Sequence, residues 1–120
     1  MLIQACKAKI HGATVTHADL NYVGSITIDE DLMDAAGIVA FQYLNITNVS
    51  NGAYWRTYAT PGERGSGVIS LNGPPARHFQ PGDKIMILAE VLIDPKDMVA
   101  LGPVVVFLDS NNKIAKMDRH

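Results

Sequence analysis

The sequence lacks several features that would define its class at once. Cys6 is the only cysteine among 120 residues, so no disulfide can form within the chain, which suits a reducing compartment. The four histidines show no metal-ligand spacing, so no metal site is predicted. No apolar run approaches the roughly 18 residues of a membrane-spanning helix, and no apolar signal stretch follows the first lysines. We therefore expect a cytoplasmic protein that does not cross a membrane.

An excess of charge of either sign is also missing. Ten Lys and Arg residues stand against twelve Asp and Glu, a formal net charge of -2, and no basic stripe is interleaved with aromatics. Nucleic acid is therefore not an expected partner, whereas small molecules and other proteins remain. Because 48% of the residues are hydrophobic, residues 1–120 can bury one core, and a single domain is predicted.

Short apolar segments rich in Val, Ile and Tyr alternate with turn residues, a pattern typical of a mostly β domain. The predicted strands cover residues 2–10, 13–17, 22–28, 39–48, 53–60, 67–72, 84–93 and 103–109. Asn51-Gly52 lies between two of them and is the strongest hairpin signal in the chain. Many short strands favour a small closed or partly closed barrel.

One clear helix is predicted from Asp29, whose carboxylate can cap free N–H groups, to Ala36, with Gly37 ending it. A second short helical turn is predicted over residues 74–79, where prolines suit a first helical position. The polar residues 110–120 show no apolar period, and we expect them to be mobile.

A long tract around Gly24-Ser25 resembles the N-terminal region of bacterial aspartate 1-decarboxylases. The resemblance spans about residues 1–110 in a constant register and rests on residues 9–29, Asp34-Ala35-Ala36-Gly37-Ile38, Asn51-Gly52, Thr57-Tyr58, Glu63-Arg64-Gly65-Ser66, Asn72-Gly73 and Gly82-Asp83. It implies a six-stranded double-psi β-barrel with one or two short helices. It also implies a homotetramer with active sites between subunits, and it leaves open whether a maturation partner is needed.

The resemblance implies that the chain cuts itself. The Ser25 hydroxyl would attack the Gly24 carbonyl, and the resulting ester would lead to a pyruvoyl group at residue 25, which separates a β chain (1–24) from an α chain (25–120). Glycine at position 24 removes the Cβ obstruction and permits unusual backbone conformations. The pyruvoyl ketone would form a Schiff base with an amino-acid substrate and accept electrons as carbon dioxide leaves. With aspartate the product would be β-alanine, which feeds pantothenate synthesis.

The resemblance also assigns roles to other side chains. Tyr58 would donate a proton after decarboxylation, and Thr57 would stabilise the oxygen that becomes negative during self-cleavage. Adjacent strand residues point to opposite faces, so we expect a bulge or bend there. Substrate contacts and pocket positions are implied for Lys9, which would attract a carboxylate, and for His11, Tyr22, Asn72 and Gly73. The second Gly-Ser pair, Gly65-Ser66, is expected to be an uncut loop.

One position departs from the family pattern. Tyr54 stands where the family has an arginine that binds a substrate carboxylate, and a phenol cannot supply that charge. Arg56 shares a strand face with Tyr54 and could reach the same pocket. Two alternatives stay open. The same chemistry could act on a different or modified amino acid, or the chain could be a noncatalytic barrel that serves as a binding or assembly module.

Overall fold

A computed structural model describes all 120 residues, and β-structure dominates it. The strands are β1 Ile3–Thr14, β2 His17–Asp19, β3 Ile26–Asp29, β4 Tyr43–Asn48, β5 Tyr54–Gly62, β6 Ile69–Asn72, β7 Lys84–Ile93, β8 Val104–Leu108 and β9 Ile114–Arg119. They form one sheet in the order β2-β6-β3-β5-β4-β7-β1-β8-β9. The predicted mostly β class is confirmed. The sheet has nine strands and not six, because β2 pairs with β6 at one end of the order and β8 and β9 extend it beyond β1 at the other.

The helices are short, as predicted. Helix α1 spans Glu30–Ala36, with the Asp29 carboxylate accepting a hydrogen bond from the Asp31 N–H at 2.9 Å and Gly37 ending it at φ 69°. A 3₁₀ turn at Pro74–Arg77 fills most of the second predicted helical segment. A further 3₁₀ turn, Pro95–Asp97, leads into a single-turn helix α2, Met98–Leu101. None of these helices has the length and apolar character of a membrane-spanning segment.

The C-terminal residues are ordered, so the prediction that residues 110–120 are mobile is wrong. Asn112 is 2% exposed, and its amide donates to the Thr14 and Gly67 carbonyl oxygens at 2.8 Å. This contact fixes the turn that precedes β9, which then pairs antiparallel with β8. The segment is held by backbone pairing and one buried amide, neither of which requires an apolar period.

The strands β1 and β3 also differ from the sequence prediction. The first two predicted strands form one strand, β1, which passes residue 12 with a register shift between His11 and Ala13, and Gly12 adopts φ 80° there. Residues 22–25 do not belong to β3, because Gly24 and Ser25 have φ values of 134° and 96°, far from extended backbone. Both differences arise at residues with positive φ.

The β4–β5 hairpin is confirmed, with Gly52 at φ 77° in its turn. The pairing begins with Thr47 opposite Tyr54 and ends with Tyr43 opposite Tyr58. It shows no register shift, so the predicted bulge at residues 57 and 58 is absent. The two residues do alternate, since Thr57 is buried and Tyr58 is half-buried on the outer face. The inner face of the sheet and one side of α1 enclose a core of 21 buried apolar residues.

Candidate active site

Ser25 is buried immediately before β3 and has an unusual backbone conformation. It is 1% exposed, and its φ of 96° lies in a region that side-chain-bearing residues rarely occupy. Such a conformation costs of order 1–3 kcal/mol and persists only when the surroundings hold it. Gly24, immediately before it, has φ 134°. The Gly24-Ser25 peptide is therefore held in a strained arrangement.

The Ser25 hydroxyl lies in a group of polar side chains that we call the hydroxyl cluster: Ser25, Thr27, Thr60, Ser70 and Asn72. Asn72 Nδ2 lies 3.2 Å from Ser25 Oγ and 2.9 Å from Thr27 Oγ1. Thr60 Oγ1 lies 3.3 Å from Ser25 Oγ and 2.9 Å from Thr27 Oγ1. The Ser70 hydroxyl donates to Asn72 Oδ1 at 2.8 Å. Each member of the cluster thus contacts at least one other member directly.

The cluster follows from strand register. Thr27 on β3 pairs with Thr60 on β5 and with Ser70 on β6, and directly paired residues project from the same face of a sheet. The flanking Ile26 and Ile28 point the other way and are fully buried in the core. A polar residue between two isoleucines therefore places a hydroxyl outside the core, next to the start of β3.

Backbone contacts hold the Gly24-Ser25 peptide against the end of β6. The Asn72 N–H donates to the Ser25 carbonyl oxygen at 3.0 Å. Gly73 packs so closely that an added Cβ would lie 3.0 Å from the Tyr22 carbonyl oxygen and 3.1 Å from Gly24 Cα. The structure thus brings Asn72 and Gly73 to the predicted cleavage site. Tyr22 reaches it through its carbonyl, while its side chain stays in the half-exposed loop.

Lys9 lies elsewhere, in an open cavity of about 330 Å³ on the outer face of the sheet. Its lining residues are Lys9, Asn45, Thr47, Tyr54, Met86, Leu88 and Glu90. The Tyr54 hydroxyl donates to Asn45 Oδ1 across this cavity. Lys9 on β1 is four strand steps from β3 along the sheet, so one chain does not bring Lys9 and Ser25 together through neighbouring strands.

No direct hydrogen bond joins His11, Arg56 or Tyr58 to Lys9 or to the Ser25 hydroxyl. The His11 ring packs 5.2 Å from that of Phe107. The Arg56 guanidinium stacks 4.8 Å above the Tyr43 ring, and the Tyr58 ring lies 6.2 Å from the same ring. Arg56 is therefore engaged outside the Lys9 cavity.

Tyr58 and Thr57 differ in how they relate to the hydroxyl cluster. Tyr58 precedes Thr60 by two residues on the same face of β5, about 7 Å along the strand. Thr57 is 8% exposed on the opposite face, and no hydrogen bond joins it to Gly24 or Ser25. Tyr58 thus lies beside the cluster, whereas Thr57 faces inward.

Asp29 ties the end of β3 to the loop that contains the second Gly-Ser pair. Its carboxylate accepts hydrogen bonds from the Gly65 and Gly67 N–H groups at 3.1 and 2.9 Å. Burial alone raises the pKa of Asp29, but the backbone donors outweigh burial and lower its pKa below the ordinary value. Ser66 is exposed and donates to the Glu63 carbonyl oxygen, so it has none of the surroundings of Ser25.

Sequence reasoning missed Thr27, Thr60 and Ser70. Their signal was period-two alternation, since each follows a buried apolar residue within a strand. No group of three or more His, Cys, Asp or Glu side chains is arranged to hold a metal ion. The chemistry available near Ser25 is that of hydroxyl groups, one amide and a serine held in a strained backbone conformation.

Comparison with known proteins gives one consistent family. The model of the aspartate decarboxylase family matches residues 1–115. The aspartate 1-decarboxylases of Caldicellulosiruptor saccharolyticus and Carboxydothermus hydrogenoformans are each 53% identical over 117 residues, covering 98% of this chain and 91% and 92% of their own lengths. That of Heliobacterium modesticaldum is 54% identical over 108 residues, covering 90% of this chain and 82% of its own.

A solved structure is also similar, at a lower level. The crystal structure of the computationally designed msDPBB_sym2 protein matches with a TM-score of 0.45 and 14% identity, covering 72% of this chain and 99% of that protein.

Proposed function

This chain belongs to the aspartate decarboxylase family, and we propose that it cuts itself between Gly24 and Ser25 and then decarboxylates aspartate to β-alanine, a precursor in pantothenate synthesis. The observation that carries the proposal is the position of Ser25. A buried hydroxyl with two polar neighbours adjoins a peptide bond whose two residues both have positive φ. A structural serine needs neither the strain nor the neighbours.

Self-cleavage begins with the Ser25 hydroxyl. Oγ attacks the Gly24 carbonyl carbon, the Oγ–C bond forms, the C–N bond breaks, and the hydroxyl proton finishes on the nitrogen of residue 25. The ester then eliminates: the Cα hydrogen of residue 25 leaves as a proton, the bond from Cβ to Oγ breaks, and the Gly24 carboxylate departs. The dehydroalanine that remains takes up water and loses its nitrogen as ammonia, which converts residue 25 into a pyruvoyl group. Strain in the Gly24-Ser25 peptide favours the step, because it is released when the bond breaks.

The residues around position 25 fit a pyruvoyl group. Asn72 directs two donors at Ser25, its backbone N–H at the carbonyl oxygen and its Nδ2 at the side-chain oxygen. The backbone donor would keep its acceptor, because the new group retains the Ser25 carbonyl oxygen. Nδ2 would lose its acceptor when Oγ leaves with the Gly24 carboxylate, and would then be free to donate to the new group or to substrate. The group supplies a ketone that reacts with the substrate amine and accepts the electron pair released as carbon dioxide leaves.

Substrate binding falls to the outer-face residues. Lys9 attracts a substrate carboxylate, and His11 and Tyr22 are assigned to the pocket by family resemblance alone. Arg56 would join them only by leaving its position on Tyr43. Tyr58 donates a proton, which its place beside the hydroxyl cluster supports. Thr57 is assigned to the oxygen of Gly24 by family resemblance alone.

We also propose that the protein is a homotetramer with each site shared between subunits. Ser25 and Lys9 are four strand steps apart in one chain, so a neighbouring subunit would supply the missing side of the pocket. The exposed aromatic residues Phe41 and Tyr43, 72% and 54% exposed beside Tyr58, would be covered in such an assembly.

A second candidate, the same chemistry on another amino acid, is favoured by the charges of the Lys9 cavity. The cavity contains one positive side chain, Lys9, and one negative side chain, Glu90, and Tyr54 adds no charge. Arg56 does not add a second positive charge there, because it is stacked on Tyr43. A dicarboxylate gains less attraction from such a pocket than from one with two cations. Comparison of kcat/KM for aspartate, glutamate and monocarboxylic amino acids on fully cleaved protein distinguishes the candidates.

Denaturing intact-mass spectrometry tests self-cleavage. The wild type should yield fragments of 24 and 96 residues, the larger beginning with pyruvoyl in place of serine. Ser25→Ala should stay at 13.0 kDa and form no β-alanine, while Ser66→Ala, at the other Gly-Ser pair, should cleave as the wild type does. A wild-type chain that remains intact after long incubation contradicts the proposal of unaided cleavage.

A further inference from the structure

We propose that Thr60 is a positioning residue for self-cleavage: it accepts the hydrogen of the Ser25 hydroxyl and so aims the oxygen at Gly24. The inference rests on the proposed self-cleavage and adds a residue to which that reaction does not otherwise assign a role. It follows from counting donors and acceptors in the hydroxyl cluster.

The hydrogen-bond roles of the Asn72 amide can be assigned first. Its Oδ1 accepts from the Ser70 hydroxyl, which leaves Nδ2 and its two hydrogens to donate. Those two hydrogens go to Ser25 Oγ and Thr27 Oγ1. Both hydroxyl oxygens therefore act as acceptors toward Asn72, and both still have a hydrogen of their own to donate.

Thr60 is the acceptor for these two hydrogens. Its Oγ1 is within 3.3 Å of Ser25 Oγ and 2.9 Å of Thr27 Oγ1, and an oxygen with two lone pairs can accept from both. The Thr60 hydrogen then points to the Ile26 carbonyl oxygen at 3.5 Å. This assignment gives every hydrogen in the cluster an acceptor, and Ser25 has no other hydroxyl or carbonyl partner for its hydrogen.

The consequence is geometric. With Asn72 donating on one side and Thr60 accepting on another, the remaining lone pair of Ser25 Oγ has a fixed direction. The 3.3 Å separation is longer than a usual hydroxyl–hydroxyl bond, as is common for catalytic contacts before the reacting geometry forms. As the Oγ–C bond forms and the C–N bond breaks, Thr60 steadies the hydroxyl while its proton is transferred to the nitrogen.

The strand around Thr60 allows its hydroxyl to be tested separately. Ala59 beside it is in the core, whereas Thr60 is half-buried on the outer face. Valine has the same branched shape and suits a strand equally well, so Thr60→Val removes the hydroxyl and little else. Thr60→Ser keeps the hydroxyl and removes the methyl group.

The experiment follows the decay of the 13.0 kDa precursor by intact mass in freshly synthesised wild type, Thr60→Val, Thr60→Ser and the matched control Thr14→Val. The Thr14 hydroxyl bonds to Lys84 and to no member of the cluster. Losing one hydrogen bond of about 1 kcal/mol predicts cleavage about fivefold to tenfold slower in Thr60→Val. Thr60→Ser and Thr14→Val should cleave within about twofold of wild type. Circular dichroism and thermal unfolding establish that each variant is folded. If Thr60→Val does not fold, the cleavage rates of Thr60→Ala and Thr60→Ser are compared instead.

Hydroxylamine separates positioning from a structural effect. It cuts the ester that follows attack by Ser25, so it accelerates breakage at Gly24 only where that ester forms. Hydroxylamine can also cut Asn51-Gly52 and Asn72-Gly73, and the fragments from these bonds are counted separately by their masses. If Thr60 aims the attack, hydroxylamine leaves Thr60→Val slow. The inference is overturned if folded Thr60→Val cleaves at the wild-type rate, or if hydroxylamine restores that rate, whereas the proposed function stands in both cases. An intact wild-type chain overturns both.

Discussion

The two groups of candidate functional residues are built differently. The hydroxyl cluster around Ser25 is enclosed by β3, β5 and β6, and its polar atoms hydrogen-bond to one another. The Lys9 cavity is open, crosses β1, β7, β4 and β5, and includes a single internal hydrogen bond, from Tyr54 to Asn45. Self-cleavage needs one chain in one fixed geometry, whereas substrate must enter and leave.

The difference indicates which measured property a substitution in each region should change. A residue of the enclosed cluster should affect the cleavage rate and stability together, because its partners become unsatisfied when it is removed. A residue of the open cavity should affect substrate kinetics and leave precursor maturation in place. The two regions would not be distinct if cavity substitutions slowed self-cleavage, or if cluster substitutions changed only substrate kinetics.

The largest effect is expected at Asn72. Asn72→Ala leaves the hydroxyls of Ser25, Thr27 and Ser70 without their amide partner in a buried site, so cleavage should slow about a hundredfold and unfolding free energy should fall by about 1–3 kcal/mol. Intact mass and urea titration measure the two. Asn45→Ala, on the open face, is the control for amide loss, and a cleavage rate as low in Asn45→Ala would break the comparison.

A smaller effect is expected at Lys9. Lys9→Ala removes the only cation lining the cavity, so KM for aspartate should rise about tenfold, with the wild-type advantage shrinking as salt is added. Steady-state assays on cleaved protein measure it, with Lys96→Ala as a control in an exposed 3₁₀ turn. An unchanged KM would mean that the cavity does not receive the substrate carboxylate.

Tyr54 should tune the same pocket by less. Tyr54→Phe removes only the hydrogen bond to Asn45 and should change KM by about twofold to threefold. Tyr54→Arg adds a second cation beside Lys9 and should lower KM for aspartate more than for a monocarboxylic amino acid. Equal changes for both substrates would argue against a role in choosing the substrate.

The smallest effect concerns acid stability beside the cluster. The pKa of Asp29 is lowered in the folded chain, so its ionised form stabilises the fold above the unfolded value near 4, and that contribution is lost as pH falls through the folded pKa. Unfolding free energy should therefore fall on acidification, less steeply in Asp29→Asn than in the control Asp97→Asn. Part of the dependence of unfolding free energy on pH should remain in Asp29→Asn, because two other carboxylates also have lowered pKa values. The Gln80 N–H lowers the pKa of Asp83, and the Lys113 N–H lowers the pKa of Asp109. An equally steep slope in both variants would contradict the assignment.

Local chemistry made much of the fold predictable. The Asp29 cap, the Gly37 stop and the Asn51-Gly52 turn act through backbone rules that span a few residues, and all three occur as expected. The single β1 and the ordered C-terminal strand were missed, because they depend on Gly12 and on a distant contact of Asn112. Contacts between residues 98 positions apart leave no local pattern.

The site was predictable to a similar degree. Family resemblance indicated Gly24, Ser25, Asn72 and Gly73, and these four lie together. Thr60 escaped notice because its importance comes from the parallel pairing of β5 with β3, which brings residues 35 apart into contact. Side-chain alternation suggests which residues share a face, but only register shows which of them meet.

The place of β1 within the sheet has a consequence for the product of the proposed self-cleavage. Residues 1–24 contain β1, which pairs with β7 at ten positions and with β8 at four, so the small fragment would supply an interior strand. It would stay bound without a peptide link, as in fragment complementation. Once unfolded, however, the two pieces would diffuse apart, and refolding would become a second-order reaction that slows on dilution. The uncut precursor would refold at a rate independent of concentration, so maturation would exchange a unimolecular folding problem for a bimolecular one.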